Sequence, residues 1–377
     1  MSAHAFLAPS SAARWVVCPA SAALEAAYPE TEESPAAMEG AAAHWVNQER
    51  LEGRAVTEGQ QAPNGVAVTA EMLEAAELVM ATLRDLGALE WRIEQPVRMP
   101  GIHPTHNWGT PDYRGVGRLA QYLVDFKYGH GVVEVYENWQ MLDYAADGLA
   151  DVAAEVPADE DTVVHFCIIQ PRAYHRDGPV RWWHVRASDL RAYFVRLRDA
   201  AAKATGANPP MVPTPEGCEH CRGRHACEAL QRAAYKAADL AAAWGTADLP
   251  PAALGAELRL LRRSAALLAA RLSGLEAQTI ATLQAGKPVP GWIMDSVPAR
   301  LEWAVPPAQV FAYGDMLGLA LRKDPAPVTP TQAIALAKGA GLPPNVFAAF
   351  SKRPPGAIKL TEDNGAKAAM IFGQPVL

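Results

Sequence analysis

The N-terminal part of the chain repeats its apolar residues at the three- and four-residue spacing of amphipathic helices. This spacing predicts helices over residues 9–28, 36–52 and 71–88, with a loop over the Gly-, Pro- and polar-rich residues 53–68. Pro19 cannot donate a backbone hydrogen bond, so we expect it to end or bend the first helix. The chain therefore begins with helices rather than strands.

After these helices the apolar positions alternate or run continuously, as they do in strands. One predicted helix lies between the strands and another follows the last of them, and that order predicts an α/β fold in which a central mixed sheet is flanked by helices. The predicted strands are 91–99, a hairpin of 109–119 and 121–129, the continuous apolar run 162–171, and 180–187; the predicted helices between and after them are 136–150 and 188–205.

The C-terminal part is again helical and rich in proline. A Pro-rich connector (208–217) leads into a cysteine cluster, and helices are predicted over 228–244 and 252–285 and, more briefly, near 307–321 and 330–340. We expect one domain over 1–245 and a mostly helical extension of unknown role over 246–377. The second of these long helices carries Arg259, Arg262, Arg263 and Arg271. These arginines could contact phosphates, but the favoured interpretation is a solvent-exposed helix face.

Charge and composition narrow the class of protein. The net charge of −7 argues against a protein that coats nucleic acid non-specifically, but it allows a local basic groove. No apolar run approaches the roughly 20 residues of a membrane helix. The N-terminus lacks the basic start and apolar run of a secretory signal. We therefore expect a cytoplasmic protein without a membrane partner.

Two carboxylates and a lysine form the first candidate site. Asp125 and Lys127 lie two apart on one strand and share a face, and Asp112 lies on the preceding element of the hairpin, directly after Pro111. Oxygen ligands of this kind suit Mg²⁺ or Mn²⁺, which would polarise a phosphate and acidify an attacking water. The alternative is a surface strand with an ordinary Asp–Lys pair.

Three further residues extend this candidate site. Gln140 and Tyr144 lie four apart on the following helix and so share a face. His44, on an upstream helix, is a candidate third protein ligand, although a single histidine is more often a satisfied core or surface residue.

The cysteines form the second candidate site. Cys218, Cys221 and Cys227 lie within ten residues, and three thiolates this close indicate a metal. Cys18 is the candidate fourth ligand. The alternative is Zn²⁺ with His220 or His225 as the fourth ligand. Cys167 lies in an apolar strand and is expected only to pack in the core.

Taken in order, these motifs resemble those of the PD-(D/E)XK nuclease superfamily, in its RecB/AddB-like branch, which includes phage-encoded members and CRISPR-associated adaptation exonucleases. The matching segments are Gly40 to His44, Gly109 to Asp112, Val124 to Lys127 and Gln140 to Tyr144. The resemblance covers about residues 9–230 and implies a restriction-endonuclease-like fold, so residues 1–245 would be the nuclease domain.

The resemblance also implies a role for each residue. His44, Asp112 and Asp125 would bind the metal together with the carbonyl of Phe126, Lys127 would position the water and stabilise charge, and Gln140 and Tyr144 would contact the substrate or brace the site. Cys18, Cys218, Cys221 and Cys227 would bind a [4Fe–4S] cluster that links the first helices to the end of the nuclease domain.

The leading expectation is a deoxyribonuclease, an exonuclease acting on single-stranded or frayed DNA ends in phage replication or recombination, with phage or host recombination proteins as possible partners. The alternatives are a structure-specific endonuclease, a catalytically silent DNA-binding subunit, and a zinc-bearing scaffold in which the acidic motif is coincidental.

Overall fold

The computed structural model describes residues 5–28, 34–86, 88, 90–117, 120–147, 162–242 and 249–293. Chain contacts divide the protein at Ile293, and all of the described residues belong to the first unit, Met1–Ile293. The short helices expected near 307–321 and 330–340 lie outside the described residues.

Four helices precede the sheet, and local side chains define their ends. The first predicted helix is broken at Pro19, as expected, and begins with a 3₁₀ turn over Pro9–Ser11. The side chain of Ser34 accepts a hydrogen bond from the amide of Ala37 at 3.2 Å, and Thr69 caps the next long helix in the same way. These helices are α1 (Ala12–Trp15), α2 (Ala20–Ala26), α3 (Pro35–Leu51) and α4 (Ala70–Arg84).

The central sheet is mixed and has five strands, in the order β1-β4-β5-β6-β7. Only β5 and β6 run parallel, and the other neighbours are antiparallel. The α/β class and the mixed sheet flanked by helices are confirmed. The strands of this sheet are β1 (Glu90–Ile93), β4 (Tyr113–Val116), β5 (Ala120–Phe126), β6 (Val163–Ile169) and β7 (Val180–Arg186); β2 (Val97–Arg98) and β3 (Trp108–Gly109) form a separate pair.

The predicted strand over 91–99 is wrong as a single element. Glu94 ends β1 with a positive φ of 49°, a conformation that L-residues rarely adopt, and Pro96 follows it. The chain therefore leaves the main sheet at Glu94, and β2 pairs with β3 instead. This bend places Glu94 at the end of the strand rather than along its face.

The two faces of the sheet pack against different helices. Because successive strand residues point to opposite faces, Leu123 and Phe166 enter a core shared with α1, α5 (Trp139–Ala145) and α6 (Arg191–Ala204). Phe126 and Cys167 enter a second core with α3 and α4. Cys167 thus lies in the core, as expected.

Cys218, Cys221 and Cys227 lie beyond the sheet, in a smaller helical region. A short apolar cluster there contains Cys218, Cys227, Leu230, Leu267 and Ala270. We call residues 210–242, together with Cys18, the cysteine lobe. Its helices are α7 (Pro215–Glu219) and α8 (Glu228–Ala242), and α9 (Pro251–Gln284) packs against it. Among the described residues, no helix is both long and apolar enough to cross a membrane.

Candidate active site and cysteine lobe

A closed set of hydrogen bonds joins the end of β5 to α5. Lys127 Nζ donates to Asp125 Oδ1 at 3.0 Å and to Gln140 Oε1 at 3.3 Å. Gln140 Nε2 donates to the same Asp125 oxygen at 3.0 Å. The side chain of Asn138 caps α5 by accepting from the amides of Gln140 and Met141. The cap fixes the start of the helix, so Gln140 is held over the lysine and the carboxylate.

Asp112 ties the start of β4 to the end of β5. Its Oδ2 accepts a hydrogen bond from the backbone amide of Phe126 at 2.7 Å, across the hairpin. Tyr144 donates its hydroxyl to the carbonyl of Thr110 at 3.0 Å and so braces the segment that carries Asp112. Gly109 permits this approach, because a Cβ there would lie 2.9 Å from the Tyr144 hydroxyl. Asp112, Asp125, Lys127, Gln140 and Tyr144 are therefore brought together, as the sequence predicts.

A compact set of possible metal ligands lies on the other side of Asp112. His44 Nδ1 is 3.7 Å from Asp112 Oδ1 and 3.6 Å from Glu94 Oε1. Of the residues that the structure describes, only these three form a group of His, Cys, Asp or Glu whose ligand atoms all lie within 4.8 Å of one another. Asp125 lies outside that tight group. The ring of Phe126 packs edge-on against His44, with centroids 5.2 Å apart.

Sequence reasoning missed Glu94. The expected strand over 91–99 gave this carboxylate no special place, since the chain bends only because Glu94 adopts a positive φ. Its amide donates to the carbonyl of Asp112 at 3.0 Å, which fixes its side chain beside that of Asp112. The available signal was the acidic residue two positions before Pro96, where a strand is expected to end. We call His44, Glu94, Asp112, Asp125 and Lys127, with Gln140 and Tyr144, the charged centre.

Burial and mutual charge shift the pKa values of the charged centre. Burial raises the pKa of Asp112 and of Asp125, while His44 and Lys127 oppose that rise. Burial alone would lower the pKa of His44, but the carboxylates of Asp112 and Glu94 outweigh it and raise the pKa to about 9. Ionising these buried carboxylates is costly, and a bound cation would offset that cost by neutralising their charge. Cation binding at His44 would also displace the proton that the histidine holds.

The four cysteines of the predicted cluster line one cavity. Cys18, Cys218, Cys221 and Cys227 share it with apolar residues such as Val212 and Leu230. None is in a disulfide. The Val212 amide donates to Cys18 Sγ at 3.3 Å and the Leu230 amide to Cys227 Sγ at 3.4 Å. The four sulfurs are not drawn into a compact ligand group of the kind formed at His44. Burial raises the pKa of Cys18, Cys218 and Cys221, that of Cys221 to about 12.

The two histidines considered as zinc ligands do not line that cavity. His220 is exposed and borders a different pocket. His225 Nδ1 lies 3.2 Å from the carbonyl of Arg222, and its ring packs edge-on against Tyr28.

Direct protein contacts also join α1 and α2 to the cysteine lobe. Glu25 is buried, pairs with Arg14 at 2.9 Å, and accepts a hydrogen bond from the amide of Arg222 at 3.3 Å. Gly223 lies so close to α2 that a Cβ there would clash with Cγ of Leu24. Cys18, between α1 and α2, therefore lies beside the other three cysteines although it is far from them in sequence.

One family comparison covers both regions. The model of a family described as a protein of unknown function (DUF2800) matches residues 4–298, which contain all of the described residues. The chain belongs to this family. The charged centre and the cysteine lobe are thus both part of the region that defines it.

Proposed function

We propose that this protein is a metal-dependent deoxyribonuclease of the PD-(D/E)XK type, related to the RecB/AddB-like branch. One observation carries the proposal: residues far apart in sequence, His44, Asp112, Asp125, Lys127 and Gln140, converge at the ends of β4 and β5. A chance Asp–Lys pair on a strand surface would not bring a histidine and a helix-borne glutamine to the same point. The mixed sheet, with its antiparallel β4–β5 hairpin and parallel β5–β6 pair, supports a restriction-endonuclease-like fold.

The residues of the charged centre divide into two groups by position. One group offers nitrogen and oxygen ligands within 4.8 Å of one another, from His44, Glu94 and Asp112. Asp125 lies close enough to interact electrostatically with Asp112 and His44. A bound Mg²⁺ or Mn²⁺ would polarise a phosphate and lower the pKa of a water. The proposed ligand set contains His44, Asp112, Asp125 and the carbonyl of Phe126, as the resemblance implies, with Glu94 added from the geometry.

Lys127 is the proposed catalytic cation. Burial lowers its pKa, but Asp125 and Asp112 raise it by more, so the ammonium keeps its proton. Held by Asp125 and Gln140, Nζ can donate to an attacking water or to the charge that develops on a phosphate. Gln140 and Tyr144 act as positioning residues, since Gln140 orients the lysine and Tyr144 braces the loop that carries Asp112.

We propose that Cys18, Cys218, Cys221 and Cys227 hold a [4Fe–4S] cluster. Four thiols facing one apolar cavity, two of them accepting backbone N–H groups, suit a cluster of thiolate ligands. A single Zn²⁺, with Zn–S bonds of about 2.3 Å, would favour a tighter group of sulfurs. Protein purified without oxygen should be brown and contain about four irons per chain. Stoichiometric zinc without iron would overturn the cluster assignment and leave the nuclease proposal standing.

The proposed substrate is DNA with a single-stranded or frayed end. The 3₁₀ turn at Pro9–Ser11 lies against Gly109 and Tyr144, so the N-terminal helices border the charged centre on one side. A centre bordered in this way suits one strand more than an intact duplex. The net charge of −7 likewise disfavours a broad duplex-binding surface.

The decisive assay compares linear single-stranded, linear duplex and covalently closed circular single-stranded DNA, each in Mg²⁺ and in Mn²⁺. We expect linear single strands to be degraded fastest and circles to resist. Equal rates on circular and linear single strands would favour the endonuclease alternative. Failure to cleave any of the three by protein that binds them would favour the catalytically silent alternative.

A further inference from the structure

The helix α9 carries two apolar faces on opposite sides. One is buried against the cysteine lobe through Leu267, Ala270 and Gly274. The other is exposed and consists of leucines spaced by seven: Leu254, Leu261, Leu268 and Leu275. At about 100° per residue, the centres of these two faces lie about 140° apart around the helix axis. The lobe therefore packs on one face of α9 and leaves the four leucines on the other face exposed.

The exposed face is an uninterrupted heptad pattern. The residues four positions after each of these leucines are Leu258, Ala265, Leu272 and Thr279, so the eight positions alternate in steps of four and three. We call these eight positions the leucine seam. Leucine at every d position, sustained over more than three heptads, is typical of helices that pack against another helix as a coiled coil. From Leu254 to Thr279 the seam is about 38 Å long at 1.5 Å per residue.

The length of α9 is consistent with a partner helix along the leucine seam. The helix spans 34 residues, from Pro251 to Gln284. Three of its residues contact the lobe near the middle of the helix: Arg263 donates to the carbonyl of Pro213, Arg271 to those of Arg224 and His225, and Gly274 lies against His225. Nearer the start of the helix, Leu254 and Leu261 are exposed.

The charged residues beside the seam favour a second copy of this chain as the partner helix. In a parallel, in-register pair of helices, a g residue faces the e residue five positions later on the other helix. Here Glu257 would face Arg262 of a second copy, and the symmetry of the pair would form this contact twice. Arg271 and Glu276 stand in the same relation, although Arg271 already bonds to carbonyls of the cysteine lobe. No like-charge pair arises in this register.

We propose that the leucine seam of α9 docks against the seam of a second copy of this chain, forming a parallel two-stranded coiled coil. Each copy keeps its cysteine lobe on the outer side of the pair, because the lobe binds the opposite face of the helix. The pairing also gives a role to Arg262, which lies at an e position beside the leucines. This inference concerns assembly and does not depend on the proposed nuclease activity.

The test is the mass of the full-length protein, purified without oxygen, by sedimentation equilibrium. We expect a dimer in the micromolar range and a dissociation constant raised at least about 100-fold by Leu261→Glu, since two buried leucines are lost per pair. The matched control is Leu260→Glu: Leu260 is 52% exposed and Leu261 is 51% exposed, but only Leu261 lies on the seam. Leu260→Glu should remain dimeric.

Two outcomes would overturn the proposal. A wild-type monomer throughout the micromolar range would mean that the seam is covered otherwise, and equal effects of the two substitutions would mean that the seam is not the interface. Melting temperature and iron content, measured on both variants, separate a lost interface from a lost fold.

A charge exchange tests the register without touching the leucines. Arg262→Glu should weaken the dimer several-fold, because Glu257 of the other copy would then face a like charge. Adding Glu257→Arg should restore the wild-type dissociation constant by reversing the pair. A double variant no tighter than Arg262→Glu alone would contradict the parallel register.

Discussion

The charged centre and the cysteine lobe differ in what holds them. The charged centre lies at the ends of β4 and β5, between two well-packed cores, and its side chains bond to one another and to the backbone. The lobe and α9 share only a small apolar cluster, in which two of the five buried residues are cysteines. We therefore expect the proposed cation at the charged centre to act in catalysis, and the proposed cluster at the lobe to stabilise the fold.

The largest expected effect is on cleavage at the charged centre. Asp125→Asn should abolish it by removing charge from the cation site. Lys127→Ala should lower it at least about 100-fold, because a donor to the developing charge is lost. The fold and the DNA affinity of Lys127→Ala should stay near wild type, as measured by circular dichroism and by fluorescence anisotropy in Ca²⁺.

The matched control for Asp125 is Asp143, another buried carboxyl, which accepts a hydrogen bond from Asn107 at 2.9 Å. Asp143→Asn should retain cleavage. If Asp125→Asn and Lys127→Ala cut DNA at the wild-type rate, the catalytic assignment is wrong.

The next effect is on stability at the cysteine lobe. Cys18→Ser should lose iron and lower the melting temperature, because the proposed cluster would no longer tie the N-terminal helices to the lobe. Cys167→Ala serves as the control: it removes a buried thiol from the core of the sheet. It should cost about 1–2 kcal/mol of unfolding free energy and keep all of the iron. Equal iron content in wild type and Cys18→Ser would remove Cys18 from the ligand set.

A third effect appears in the pH dependence of stability. Burial raises the pKa of Asp143 to about 8, with the hydrogen bond from Asn107 opposing the shift. Its folded-state pKa therefore lies above the unfolded value near 4, so the folded protein holds the extra proton between these limits. Unfolding free energy should fall by up to about 1.4 kcal/mol per pH unit as pH rises through that window.

The variant Asp143→Asn should remove that part of the slope, since it stays neutral throughout. Urea denaturation of both proteins from pH 5 to about pH 8 measures the difference. Parallel curves would show that Asp143 ionises normally in the folded protein.

The smallest expected effect is on stability, and it differs between two glycines of α9. A Cβ at Gly274 would lie 2.8 Å from Arg224 Cγ and 3.0 Å from the His225 amide, whereas a Cβ at Gly255 would meet nothing within 4 Å. Gly255→Ala should stabilise the protein by up to about 1 kcal/mol through helix propensity. Gly274→Ala should lose that gain and loosen α9 from the lobe, seen as a lower melting temperature. Equal stabilisation by both would mean that α9 does not pack there.

The sequence predicts most of the sheet and much of the charged centre, for local reasons. Residues two apart on a strand share a face, so Asp125 and Lys127 can be paired without a structure. The parallel pairing of β5 with β6 joins residues about 40 positions apart and has no local signal. Glu94 was missed for a similar reason, because its place depends on a positive φ and on a bond to Asp112.

The leucine seam shows the opposite case. Its heptad spacing is written in the sequence, but the basic residues of the same helix favoured a solvated face. Only the burial of Leu267 and Ala270 on the other side shows that α9 presents two apolar faces.

The central claim is that a divalent cation at the charged centre enables DNA cleavage. The most direct measurement follows both in one sample: Mn²⁺ occupancy by electron paramagnetic resonance, and cleavage of end-labelled linear single-stranded DNA, over a Mn²⁺ titration. We predict that cleavage rises with occupancy of a site that Asp112→Asn weakens, and that Lys127→Ala fills the same site without cutting. Wild-type protein that is saturated with Mn²⁺ at this site, binds the DNA and leaves it intact would contradict the account.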